Sequence, residues 1–111
     1  MRILLKITLP GPEGNAAIAD GSLGSTIGSI LADLKPEAVY FAEDNGQRTG
    51  FVFVNIENAS QIPAIAEPWF LAFNAKVELR PAMTLEDLQN AGPSIEAAAR
   101  KYARTARAAS A

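Results

Sequence analysis

The chain has 111 residues, 49% of them apolar and 20% charged, with a formal net charge of −2. That is the size and composition of one globular domain with a core of its own. It contains neither cysteine nor histidine, which removes disulfides, thiolate ligands, iron–sulfur clusters, cysteine nucleophiles, histidine-based triads, histidine-ligated haem and the usual zinc sites. No cofactor and no metal is therefore expected.

The charge is unevenly spread. Residues 1–95 hold six bases against eleven acids, a net of −5, whereas residues 96–111 hold four bases and one acid, a net of +3. An acidic body argues against a nucleic-acid-binding domain. The N-terminal run MRILLKITL is interrupted at Lys6 and is too short for a signal peptide or a membrane span. The expected localisation is cytoplasmic, with no membrane partner.

Arg2 to Leu9 alternates, with Ile3, Leu5, Ile7 and Leu9 on one side and Arg2, Leu4, Lys6 and Thr8 on the other, which predicts a strand. Pro10-Gly11-Pro12 breaks it. A helix is predicted in the second half of Asn15–Leu34, with Asn15 as a cap, an apolar stripe of Leu23, Ile27, Ile30, Leu31 and Leu34, and Pro36 as its stop. Ala38–Glu43 and Gly50–Ile56 are rich in aromatic and β-branched residues and predict a hairpin around Asn45-Gly46. Ser60 to Phe73 places Ile62, Ile65, Ala66, Trp69, Phe70 and Phe73 at helical spacing. Ser60 is its expected cap, Pro63 falls in the first turn and Pro68 falls inside. Ala75–Arg80 reads as the last strand. Thr84 caps a short helix, and Pro93 opens a final one to about Ala108.

The order βαββαβ followed by two helices predicts an α+β, ferredoxin-like sandwich with a four-stranded antiparallel sheet in the order 4-1-3-2. The chain is expected to be a single domain over 1–111, with a core at 1–82 and a helical extension at 83–111. Both faces of the hairpin are apolar, so both need cover. Helices cover one, and a second copy of the sheet is the simplest cover for the other, which predicts a homodimer through the sheet face. The alternative is that the C-terminal helices fold over it. On the non-helix face Arg2, Lys6, Lys76 and Arg80 outnumber Glu78 and suggest either a salt-bridged rim or an anion site.

The segments EPWFLAFNAKVELRPAMTLEDL, NAAIADGSLGSTIGSILADLKPEAVYF and GQRTGFVFVNI together resemble a bacterial family of unknown function. Its members look like the dimeric α/β-barrel superfamily. The resemblance runs from Met1 to about Leu88 and implies a dimeric barrel of paired sheets. The superfamily includes small monooxygenases, muconolactone isomerases, haem-dependent chlorite dismutases and ligand-sensing regulators. The haem members need an axial histidine that this chain lacks, and a shared fold does not carry function.

Four residues are candidates for a ligand-binding site: Tyr40, Arg48, Glu67 and Trp69. Tyr40 is either a donor on a cleft wall or a core tyrosine, and Arg48 is either a ligand contact or a turn charge. A kink at Pro68 would turn Glu67 or Trp69 toward a space between helix and sheet; without it, Glu67 is solvated and Trp69 is core. Gly21, Gly24 and Gly28 share a helical face, and read as a close approach of that helix to its neighbour or as the floor of a ligand cleft. Arg100, Arg104 and Arg107 form a cationic stripe with Lys101 nearby, read as a solvated face. Leu71, opposite the apolar stripe of its helix, is expected beneath the C-terminal helices, packed within the chain or exchanged between copies.

Two functions remain. One is a small-molecule-binding or regulatory domain of the dimeric α/β-barrel type. The alternative is a cofactor-independent enzyme, monooxygenase-like or isomerase-like, using Tyr40, Glu67 and Arg48 or Lys6 in the cleft between helices and sheet. Catalytic residues are not identified.

Overall fold

The computed structural model describes residues 1–103. Four strands, β1 (Arg2–Thr8), β2 (Ala38–Asp44), β3 (Gln47–Asn55) and β4 (Lys76–Pro81), form one sheet in the order β2-β3-β1-β4, and every neighbouring pair is antiparallel. The alternation in β1 sets the register. Ile3, Leu5 and Ile7 stand beside Val54, Val52 and Gly50 on β3 and beside Pro81, Leu79 and Val77 on β4. Leu5, Ile7 and Val52 are at most 1% exposed, so this face is the floor of the core.

The first helical region departs from expectation. Two helices, α1 (Gly11–Ala19) and α2 (Leu23–Leu34), replace one. Pro12 does not keep the chain extended, because in the first turn of α1 its missing N–H would have had no helical partner. Asn15 therefore lies inside α1 and does not cap a helix. Gly21, at φ 78°, separates the two helices, a conformation that glycine adopts without a Cβ penalty.

The hairpin is tighter than the six-residue loop that composition suggests. Asn45 and Gly46 both have positive φ, 52° and 77°, the pair of values that a two-residue turn needs to match the twist of its strands. Pairing therefore continues to Glu43 opposite Arg48 and Asp44 opposite Gln47.

A 3-10 turn at Ala59–Gln61 leads into α3 (Ile62–Phe73). Ser60 falls within that turn and is not a helix cap; instead the Gln61 side-chain oxygen accepts from the N–H groups of Glu57, at 2.6 Å, and Asn58, at 3.0 Å. Pro68 sits in the helix interior. The inward side of α3 is Ile65, Ala66, Trp69 and Phe73, all buried.

After β4 come α4 (Leu85–Asn90), α5 (Gly92–Ala98) and a π-helical turn at Ala99–Ala103. Thr84 caps α4 as expected: its hydroxyl accepts from Asp87 N–H, and the Asp87 carboxylate accepts from Thr84 N–H, both at 3.0 Å. The expectation that these helices cover Leu71 is not met in the single chain. Leu71 is 83% exposed, and Leu85, Leu88, Ile95 and Tyr102 are exposed as well. The radius of gyration is 19.1 Å, against about 13 Å for a compact domain of this length. The C-terminal helices thus extend from the body. The predicted end of the last helix near Ala108, and Arg104 and Arg107 of the cationic stripe, lie outside the described residues. No helix among the described residues is long and apolar enough to cross a membrane.

Candidate ligand cleft

A cleft of about 1000 Å³ opens between α2 and the β2–β3 hairpin, on the helix-covered side of the sheet. That is at the upper end of the range for small-molecule sites. Its floor is Ile7, Leu9, Gly50 and Val52; α2 contributes Leu23, Gly24, Ile27, Gly28 and Leu31; Phe41 and Trp69 stand at the sides. The two glycines account for much of the space. A Cβ placed on Gly24 or on Gly28 would meet nothing within 4 Å. The expected close approach of this helix to a neighbour is thus not what these positions provide; they leave room over the sheet. Phe41, the cross-strand partner of Gly50, lies over it, with ring atoms 3.5 Å from where a Cβ would stand, yet remains 60% exposed.

Of the four residues singled out from the sequence, the fold brings two to this cleft. Trp69 lines its inner side and is 2% exposed. Its indole N–H is buried and has no acceptor among the described residues, an uncommon state for a buried donor. Arg48 stands at the mouth. It faces Glu43 across the hairpin, but among the described residues the two make no ion pair. The Glu43 carboxylate accepts from Gly46 N–H at 2.9 Å, whereas the Arg48 guanidinium reaches to α1 and donates to Asn15 Oδ1 at 3.0 Å. Gly14 makes this reach possible, because a Cβ there would lie 2.8 Å from Arg48 Nη1. Arg48 is therefore not merely a turn charge, and Asn15, read from the sequence as a cap, is its anchor.

Tyr40 and Glu67 do not line the cleft. Tyr40 pairs with Phe51, so it is on the opposite face of the sheet from Phe41, and at 65% exposure it is not a core tyrosine either. Glu67 is exposed on the outer side of α3. Glycines 24 and 28, Asn15 and Gly14 are the positions that sequence reasoning undervalued. The glycine spacing was a usable signal, since Gly24 and Gly28, one turn apart inside a helix, each cost helix stability and need a reason.

The other face of the sheet is that of Lys6, Tyr40 and Phe51. Leu4, Phe51 and Phe53 are half-buried on it, and its charges are paired. Arg2 pairs with Glu37, Lys6 reaches Asp44, and Glu78 bridges Lys76 at 3.3 Å and Arg80 at 2.6 Å. The Arg2 hydrogen bond holds the Glu37 carboxyl below its ordinary value, and Lys76 does the same for Glu78, helped by the fields of Lys6 and Arg80. The rim is salt-bridged, as one of the two sequence readings has it. No cluster of three or more acidic residues that could hold a metal ion occurs among the described residues. No protein-family model matches the chain, and no curated protein matches it.

Proposed function

We propose that this chain is a small-molecule-binding domain whose ligand occupies the cleft between α2 and the hairpin. The observation that carries the reading is the cleft itself: about 1000 Å³ of space over the core sheet, walled by apolar side chains, with two helix positions that lack any side chain to fill it. Concave apolar surface of this extent facing water favours a ligand that covers it. Binding is favoured over catalysis by the chemistry of the wall. Its carboxylate, Glu43, is engaged by the turn N–H of Gly46, and of the residues of the enzymatic alternative Arg48 lines the cleft whereas Tyr40, Glu67 and Lys6 do not.

The strand order β2-β3-β1-β4 with two crossover helical segments supports a ferredoxin-like topology. The half-buried Leu4, Phe51 and Phe53, with exposed Tyr40 among them, support pairing of two such sheets face to face as in a dimeric α/β barrel. Native mass spectrometry of protein purified from its own source tests both parts. The expected result is twice the chain mass of 11.7 kDa with a retained small molecule. A bare monomer whose tryptophan emission is indifferent to apolar solutes would overturn the reading.

A further inference from the structure

The ligand class follows from Arg48, the cation on the cleft wall, and it rests on the reading of the cleft as a binding site. Arg48 has an obvious partner in Glu43 directly across the hairpin and does not take it. Its guanidinium is held instead between β3 and the first turns of α1, over the gap left by Gly14, with one donor spent on Asn15 Oδ1. A guanidinium carries five N–H donors in a planar fork suited to a carboxylate. Beside Arg48 the cleft is lined by Leu23, Ile27 and Leu31 of α2 and Val52 of the sheet.

We infer that the cleft takes an apolar molecule with a carboxylate at the end held by Arg48. The apolar stem lies along α2, over Gly24 and Gly28, where side chains would block it.

Trp69 is the sole tryptophan of the chain, so its emission reports the cleft directly. The full chain is titrated with decanoate, with the monomethyl ester of decanedioate and with decyltrimethylammonium, all below micelle-forming concentration, by tryptophan emission and by calorimetry. The two carboxylates are expected to bind saturably and the quaternary ammonium not at all. Arg48→Gln is expected to weaken both carboxylates by about tenfold or more, the scale of a charge-assisted hydrogen bond. Gly14→Ala, which displaces the guanidinium without removing it, is expected to weaken them too. Binding of the ammonium compound as tight as that of decanoate, or carboxylate binding unchanged in Arg48→Gln, overturns the anionic class and leaves the cleft a ligand site. If none of the three probes gives heat or changes the emission, the cleft is not a ligand site and the functional reading falls with it.

Discussion

Beside β4 the helix layer is filled by α3, whose inward positions are Ile65, Ala66, Trp69 and Phe73, whereas over the hairpin α2 offers Gly24 and Gly28 between Leu23, Ile27 and Leu31. The two helical segments occupy equivalent places in a βαββαβ order, yet one side is closed and the other open. The difference is side-chain volume at inward positions. A tryptophan and a phenylalanine one helical turn apart fill the space down to the sheet, whereas two glycines one turn apart leave it empty. One half of the layer holds the domain together and the other is free to hold something else.

The sharpest test removes volume from each side. Phe73→Ala is expected to lower stability by about 3–5 kcal/mol, as for a large buried aromatic. Ile27→Ala, whose side chain is half-buried beside the cleft, is expected to cost only about 1 kcal/mol, roughly half the value for a fully buried side chain. Urea denaturation measures both, and equal losses would mean that the two sides are equally packed. The reverse experiment adds volume on the open side. Gly28→Leu has room for its side chain and replaces a poor helix former with a good one, so it is expected to raise stability by about 1 kcal/mol while abolishing decanoate binding in the calorimeter. A destabilised variant would show that the space is closed in solution.

Acid probes the sheet face away from the cleft. Glu37 and Glu78 have folded-state pKa values below their ordinary 4.5 because Arg2 and Lys76 stabilise the ionised forms. Depressed carboxyls contribute stability that is fully present above pH 4.5 and is lost as the pH falls through their folded values. The denaturant midpoint is therefore expected to decline modestly below pH 4.5, the groups being at the surface. Glu37→Gln and Glu78→Gln together should flatten that decline.

The smallest expected effect concerns the extension. Thr84→Ala removes the α4 cap, worth about 1 kcal/mol to that helix. Because the apolar side chains of α4 and α5 are exposed, the global denaturation midpoint of the single chain is expected to stay put while helical circular dichroism falls slightly. A clear drop in the midpoint, larger at higher protein concentration, would show that the extension packs on a second copy.

Elements whose evidence is local were legible without the fold. The alternation of Ile3, Leu5 and Ile7 implies one buried face of a strand. The spacing of Ile65, Trp69 and Phe73 implies a helix lying on it, Asn45-Gly46 implies a turn, and Thr84 with Asp87 implies a cap. Each depends on side chains within a few residues of one another, so the backbone has few alternatives. The start of α1 was not legible, because Pro10-Gly11-Pro12 suits a loop and a helix N-terminus equally until packing chooses between them. Tyr40 and Arg48 are eight residues apart on a hairpin whose faces look alike in sequence. Only pairing with β1 decides which face meets the helices, and with it that Arg48 reaches the cleft and Tyr40 does not. The cleft itself depends on the distance between α2 and the sheet. A glycine on a helix permits a close neighbour or leaves a gap, and the sequence contains no information on that distance. It is fixed by residues far away in the chain, the aromatic core of α3 among them, and so only the tertiary structure decides it.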